Sequence, residues 1–316
     1  MYDLIIPKHV TDSSIEDILK SMEAQMMLIT YLPDVLYTKS ETQLPKLGND
    51  SIIWCGYLWQ SCMEGYRLIN TENPYQWYSE KCIRILDSDK LVLTMQKDPR
   101  EIRHWDGKIY NPTYGVGTLR SLDAFSYGTF KAKVMCPNGK GLWPSFWLSC
   151  KETKQEFEYE KKFRGKGLWP YGGEIDGMEA WSNYDRYFRL FIAQPPYIKP
   201  SWRTTTNIHY GVDDEHKSIG SRNIPWCKQH KSPDSNYIEY EIEWLPDKIT
   251  IKANGEIVRQ DTKSAKAITE YWKSIDMKPG MAVIFNVWIE DPETTEVSIY
   301  NDMYVKDFSY KPMQSM

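Results

Sequence analysis

The chain has 316 residues, a length that suits either one large all-β domain or two smaller domains. Hydrophobic residues make up 41% of it and charged residues 26%, as in an ordinary globular protein. The formal net charge of −4 gives no reason to expect binding to nucleic acid or to an anionic membrane, and it disfavours a highly sulfated polysaccharide. No segment is apolar over the length that a membrane-spanning helix needs.

Residues 1–48 are expected to form an extension that precedes the main domain at 49–316. Within the extension, residues 13–30 are predicted to form a helix, because Ser13 and Glu16 fit a capping box and apolar residues recur at helical spacing. This helix is expected either to pack on the main domain or to dock onto a larger assembly. No signal peptide is visible, so the protein either stays where it is made, has lost its signal, or leaves by another route.

Strand patterns dominate from Trp54 onward. A lysine- and glutamate-rich insertion at 151–166 interrupts them and predicts a solvated loop or a rim, and residues 263–273 predict a short helix. Many strands with few helices favour an antiparallel β-sandwich. The other predicted strands lie at residues 90–95, 127–134, 187–193, 237–244, 282–288 and 303–310.

The strand at 237–244 shows the strictest alternation of polar and apolar residues. It places Ile238, Tyr240, Ile242 and Trp244 toward the core and three glutamates toward solvent. After it, Asn254 and Gly255 predict a tight hairpin turn.

The most informative stretch holds three carboxylates within six residues, between glycine and tryptophan. Interpreted as a strand, it places Glu174 and Asp176 on one face, because side chains alternate. Glu179 returns to that face only if one residue is bulged out of register, and we predict Met178 to be that residue. Trp181 then follows on the same face.

Three like charges along one strand face repel one another, and burial raises the pKa of a carboxyl group. The opposite side of this strand offers glycine and methionine, which make a poor core face, so a functional role explains the row better than a structural one. Paired carboxylates beside an aromatic platform are the groups that glycoside cleavage requires. The spacing along a strand leaves both the retaining and the inverting geometry open.

Two motifs, GLWPSFWL at 141–148 and WPYGGEIDGME at 169–179, together resemble glycoside hydrolase family 16. The resemblance is to the branch with the bulged E-x-D-x-x-E motif, which includes laminarinases, agarases and carrageenases. It implies a concanavalin A-like jelly roll of two curved antiparallel sheets with a cleft across the concave one. It also implies retaining endo-hydrolysis of a polysaccharide, with Glu174 as nucleophile, Asp176 as its helper and Glu179 as general acid/base.

A β-1,3-glucan is the first expected substrate, because residues 141–181 look most like laminarinases. Transglycosylation, hydrolysis of a galactan, and non-catalytic, lectin-like glycan binding remain alternatives. Gly177 departs from the family pattern, which usually has an aliphatic residue there.

Aromatic side chains are expected to hold the sugar rings. Each tryptophan of the first motif either stacks on substrate or packs in the core, and the histidine candidate lies in a segment that resembles the family's His-Tyr segment near the cleft. The candidate substrate-binding residues are Trp143, Trp147, Trp181, Trp202, Trp226 and His209.

No cofactor is expected to be required. The resemblance allows a structural calcium ion, but no ligand set can be assembled from the sequence, and Asp307 is the single candidate. The six cysteines show no C-x-x-C or zinc-like spacing, so free thiols are expected rather than disulfides.

Overall fold

A computed structural model describes residues 51–314, apart from 62–67, 70–73, 88, 104–106, 138, 140, 151–171, 182–202, 213–214, 225–235, 263–279, 294 and 296–300. Several predicted features therefore lie outside the described residues: the domain boundary after residue 48, the helix at 13–30, the insertion at 151–166, the strand at 187–193, the helix at 263–273, and Trp202 and Trp226. In the part of the chain that is described, no helix has the length and apolar character needed to cross a membrane.

The described residues form 21 strands and one short 3-10 helix, Glu80–Cys82. The strands are β1 (Ser51–Trp54), β2 (Tyr57–Gln60), β3 (Gln76–Tyr78), β4 (Ile83–Asp87), β5 (Lys90–Leu93), β6 (Met95–Lys97), β7 (Ile102–Arg103), β8 (Ile109–Tyr110), β9 (Tyr114–Val116), β10 (Thr118–Ser121), β11 (Gly128–Met135), β12 (Leu142–Cys150), β13 (Glu174–Trp181), β14 (Arg203–Val212), β15 (Glu215–Ser218), β16 (Arg222–Asn223), β17 (Ile238–Leu245), β18 (Lys248–Ala253), β19 (Glu256–Thr262), β20 (Met281–Ile289) and β21 (Met303–Pro312).

Two large antiparallel sheets form the framework of the molecule. The first sheet runs β1-β2-β10-β20-β12-β13-β14-β15, with β16 beside β14, and the second runs β19-β18-β17-β11-β21-β5-β4. Strands that are distant in the chain are neighbours, as β12 and β20 are, which is the connectivity that a jelly roll requires. The predicted all-β sandwich is therefore confirmed.

The strict alternation predicted for residues 237–244 is confirmed in β17. Its four apolar side chains are buried, while Glu241 on the other face receives hydrogen bonds of 2.6 Å from Lys131 and from Lys252. These partners lie on the two strands that flank β17, so cross-strand ion pairs hold its polar face. The hairpin turn is confirmed too, since Asn254 and Gly255 both have positive φ angles, of 48° and 82°.

Aromatic rings fill much of the space between the two sheets. Phe308 of the second sheet packs edge-on against Trp59 of the first, with ring centroids 5.1 Å apart. Within the first sheet, Phe146 and Phe285 stack at 4.7 Å on neighbouring strands. These rings are fully or almost fully buried, so they supply much of the apolar area that stabilises the sandwich.

The prediction of one continuous strand at residues 90–95 is wrong, because two strands cover this range. Thr94 separates β5 from β6: its N–H donates to the Cys82 carbonyl, and its own carbonyl accepts from the Gly117 N–H. These bonds turn the chain from the second sheet into a small three-stranded sheet made of β3, β9 and β6.

The cysteines in the described part of the chain form thiols, as predicted: Cys55, Cys82, Cys136 and Cys150. Burial raises the pKa of the Cys82 thiol to about 12 and that of the Cys55 thiol to about 11. Both thiols therefore stay protonated at neutral pH and react slowly.

The predicted bulge is confirmed in β13, but the residue predicted for it is wrong. Opposite β12, Met178 faces Phe146 and Asp176 faces Trp147, so that Gly177 is the residue without a partner. On the β14 side, the register also slips between Asp176 and the glutamate three residues later.

Close packing between the sheets explains why the extra residue is glycine. A Cβ atom at position 177 would lie 2.6 Å from Cδ1 and 2.7 Å from Cγ1 of Ile242, which projects from β17 of the second sheet. Met178, by contrast, is fully buried, and its side chain fills core volume. The family's usual aliphatic residue at 177 is thus excluded here by the opposite sheet.

Replacing Gly177 with alanine should destabilise the protein by about 1–3 kcal/mol, because the added methyl group overpacks the contact with Ile242. The free energy of unfolding in urea measures this. Ile242→Val alone should cost about 1 kcal/mol, but combined with Gly177→Ala it should recover part of the alanine penalty, since it removes the nearest carbon atom. Equal stability of wild type and Gly177→Ala would contradict this packing argument.

Candidate active site

Strand pairing brings the three acids together on the face of the first sheet that points away from the second sheet. Residues that are paired across neighbouring strands project to the same side, so each acid has defined lateral neighbours. The three rows are Ser145–Glu179–Thr205, Trp147–Asp176–Asn207 and Ser149–Glu174–His209. We call this surface the carboxylate face.

Asp176 is the most deeply buried of the three acids, with 3% of its surface exposed. Burial raises its pKa well above the ordinary aspartate value, and the negative charge of Glu179 raises it further. A hydrogen bond with Glu174 and the charge of Arg259 oppose this rise in pKa. Burial therefore favours the protonated form of Asp176, whereas two of its partners favour the ionised form.

Glu179 combines burial with polar contacts. Burial raises its pKa to about 7, while the positive charge that His209 carries when protonated and a hydrogen bond from Trp143 lower the pKa. A carboxyl group with this pKa is partly protonated at neutral pH, which suits a general acid that must later act as a base. Because Asp176 and Glu179 interact, their protons belong to the pair rather than to either residue.

Trp143 and Trp181 form an aromatic wall beside Glu179. The indole N–H of Trp143 donates to Glu179 Oε1 over 3.1 Å, and the two rings stack with centroids 4.4 Å apart and planes at 25°. Trp181 donates its own indole N–H to Thr205 Oγ1 over 3.3 Å. Both rings are half-buried, so they present apolar surface next to the acid.

Trp147 lies on the same face but is buried. Its indole N–H donates to Asn286 Oδ1 over 2.7 Å, and its ring meets Trp288 edge-on at 6.0 Å. Asn286 in turn donates to the Trp143 carbonyl over 3.2 Å. Trp147 and Asn286 thus support the aromatic wall from behind, and sequence reasoning missed Asn286 although it interrupts an otherwise apolar strand.

His209 lies beside the two remaining acids. Its Nε2 is 3.2 Å from Asp176 Oδ2 and 3.7 Å from Glu174 Oε1. Its Nδ1 is 2.7 Å from Nε2 of His216, a residue on β15 that no sequence motif indicated. Burial lowers the pKa of His216, and the charge of His209 lowers it further.

Arg259 is a second residue that sequence reasoning missed. It lies on β19 of the second sheet, is 1% exposed, and forms an ion pair with Asp261. Its guanidinium also donates to the carbonyls of Thr206, over 3.2 Å, and Gly220, over 2.9 Å. This buried cation ties the second sheet to β14 and supplies positive charge behind Asp176.

Asp307, the candidate calcium ligand, accepts a hydrogen bond of 2.6 Å from Lys133. Among the described residues, the one group with three potential metal ligands is Glu174, Asp176 and His209.

A family model supports the resemblance drawn from the motifs: the model of glycosyl hydrolases family 16 matches residues 71–168. A glucan endo-1,3-beta-glucosidase of Cryptopygus antarcticus is 25% identical over 151 residues, which are 46% of this chain and 44% of that protein. A beta-1,3-glucan-binding protein of Penaeus monodon is 34% identical over 79 residues, 24% of this chain and 18% of that protein. The chain thus spans less than half the length of these relatives.

Solved structures show the same fold at low identity. LamA of Z. galactanivorans, in complex with laminaritriose and laminaritetraose, has a TM-score of 0.54 and 17% identity, covering 80% of this chain and 92% of that one. A structure from work on endo-acting O-glycanases of the human gut microbiota that initiate mucin breakdown has a TM-score of 0.55 and 17% identity, covering 86% and 92%. At this identity the solved structures show the fold alone, a sandwich of two antiparallel sheets. The chain is similar to glycosyl hydrolases family 16 over less than half of its length.

The charge state of Glu179 should make its glutamine variant more stable than wild type at neutral pH. Between about pH 4.5 and pH 7 the folded protein still binds this proton while the unfolded chain has lost it, so wild-type stability falls as pH rises. Glu179→Gln avoids the penalty, and its advantage should grow across this window, as measured by urea unfolding at each pH.

Glu241→Gln is the matched control, because the sign of its effect is opposite. Burial raises the pKa of Glu241, but hydrogen bonds from Lys131 and Lys252 outweigh burial and lower it. This variant should be less stable than wild type at neutral pH, and the difference should vanish as pH falls. If both variants changed stability in the same direction, this result would contradict the opposite pKa shifts of Glu179 and Glu241.

The hydrogen bond from Trp143 should hold the pKa of Glu179 below the value that burial alone would give. Trp143→Phe removes the donor that stabilises the carboxylate, so the pKa of Glu179 should rise, as measured by NMR titration of ¹³C-labelled glutamate. Trp181→Phe keeps a ring in the same wall but removes a bond to Thr205 only, and it should leave that pKa closer to the wild-type value. Equal shifts in both variants would show that ring burial, rather than the hydrogen bond, controls the pKa.

Proposed function

We propose that the protein is a retaining endo-glycoside hydrolase that cleaves internal β-linkages of a polysaccharide. The first substrate that we propose is a β-1,3-glucan. One observation carries this proposal: Glu174 and Glu179 share one strand face, and Glu179 has a pKa of about 7 beside a wall of two stacked tryptophans. A row of acidic residues without a catalytic role would not require a carboxyl group with a pKa raised in this way.

In the first step, protonated Glu179 donates its proton to the leaving glycosidic oxygen while the Glu174 carboxylate attacks the anomeric carbon. The bond to the leaving sugar breaks, and a covalent glycosyl-enzyme forms. In the second step, ionised Glu179 takes a proton from water, and the water oxygen displaces Glu174 from the anomeric carbon. Asp176, hydrogen-bonded to Glu174, holds the nucleophile in place between these steps.

The substrate class rests on two kinds of support. The relatives that match part of the chain carry names that refer to β-glucans, and the half-buried rings of Trp143 and Trp181 offer flat apolar surfaces on which the faces of a sugar ring pack. The other predicted partners of the substrate, Trp202, Trp226 and His209, remain part of this proposal, as does docking of residues 1–48 on a larger assembly.

Two alternatives have specific support, and a third would use the same residues. A glucan-binding protein is among the relatives, which favours a binding module without catalysis. A gut O-glycanase structure shares the fold, which keeps galactan-type and other glycans open as substrates. A transglycosylase would use the same residues but transfer the glycosyl unit to a sugar, and added acceptor would then appear in the products.

Glu174→Ala and Glu179→Ala should each lower the release of reducing ends from laminarin by at least about 10²-fold, because each removes one reacting group. Azide should separate their roles. With an activated glycoside, it should restore turnover of Glu174→Ala as a glycosyl azide of inverted configuration, and of Glu179→Ala as one of retained configuration.

Wild-type protein that binds laminarin without releasing reducing ends would support the binding module instead. Parallel incubation with agar, carrageenan and mucin glycans identifies the substrate. Glu243→Gln changes a carboxylate on the second sheet that pairs with Lys248, and it serves as the control for activity. Full activity in either alanine variant would exclude the proposed mechanism.

A further inference from the structure

The proposed nucleophile, Glu174, and the two side chains beside it have the spacing of a metal site. His209 Nε2 lies 3.2 Å from Asp176 Oδ2 and 3.7 Å from Glu174 Oε1, and all three potential ligand atoms lie within 4.8 Å of one another. In a tetrahedral zinc site with bonds of about 2.0–2.1 Å, the ligand atoms are about 3.3 Å apart. The observed separations need only small side-chain adjustments to meet this geometry.

The burial of Asp176 gives a second, independent indication. Its side chain is about 4% exposed, and Oδ2 accepts no hydrogen bond, although the Nε2 atom of His209 is only 3.2 Å away. This buried oxygen therefore has no hydrogen-bond donor, even with the imidazole beside it. Two atoms with lone pairs at this distance favour a cation between them.

His216 explains how His209 keeps that lone pair. The 2.7 Å contact between His209 Nδ1 and His216 Nε2 requires one nitrogen to donate and the other to accept. When His209 donates from Nδ1, its Nε2 has no proton and faces the carboxylates. Histidine ligands of metal ions are held in this way by an acceptor on the other ring nitrogen.

We infer that Glu174, Asp176 and His209 bind one divalent transition-metal ion of the zinc type, with His216 as the outer partner that orients His209. Imidazole with carboxylates suits Zn²⁺, whereas Ca²⁺ and Mg²⁺ prefer oxygen ligands alone. Binding rests on this geometry and not on the proposed hydrolysis. The effect of the ion on activity does rest on the proposed hydrolysis. An ion bound to Glu174 blocks the nucleophile, so it should inhibit hydrolysis reversibly, and a chelator should restore activity.

Isothermal titration of the full chain with zinc chloride tests the site. Wild type should bind one ion, and His209→Gln should weaken binding by about 10²-fold, because a first ligand is lost. His216→Gln should weaken it by about tenfold through misorientation of His209. Glu243→Gln, which changes a carboxylate on the second sheet that pairs with Lys248, should bind zinc within about threefold of wild type.

Circular dichroism establishes that each variant is folded, and Glu174→Gln replaces His209→Gln if the latter is not. Equal zinc affinity in wild type and His209→Gln would overturn the site by placing the ion elsewhere, for example on thiols, and so would the absence of zinc binding by wild type. Inactivity of wild type on every glycan, with the zinc pattern intact, would reject the proposed hydrolysis and leave the metal site standing.

Discussion

The close approach of β13 to the second sheet determines the geometry of the carboxylate face. At Gly177 the backbone lies so near Ile242 that no side chain fits, and the strand takes up one extra residue at this point. The slip in register returns Glu179 to the side of Glu174 and Asp176. A regular strand would place Glu179 toward the inter-sheet core, where a carboxylate has no hydrogen-bonding partner and is costly to bury.

Once the acids share a face, their surroundings assign them different roles. Glu179 is buried against tryptophan and holds a proton near neutral pH, while Glu174 is more exposed and is hydrogen-bonded to Asp176. Charge behind the site comes from Arg259, which reaches β14 from the second sheet. The two sheets therefore contribute differently: one carries the reacting groups, and the other supplies shape through Ile242 and charge through Arg259.

Much of the framework follows from local sequence patterns. Alternation in β17, the Asn-Gly turn and the acidic row each reflect short-range rules, and each was predicted correctly. The identity of the bulged residue was not, because it depends on a contact with Ile242, a residue 65 positions later in the chain. Sequence patterns did not indicate three other residues of the site for the same reason, since only strand pairing and sheet packing place them near the acids. These residues are His216, Asn286 and Arg259.

The buried acids represent a cost that the rest of the sandwich must offset. Three carboxylates on one face repel one another, and burial of Asp176 and Glu179 adds a desolvation penalty. The aromatic contacts between the sheets and the ion pairs on the outer face of β17 supply stability away from this strand. A site destabilised in this way persists because the neighbouring strands on both edges of β13, and the second sheet that packs against it, fix its backbone. A carboxyl group can therefore keep its proton near neutral pH without disrupting the fold.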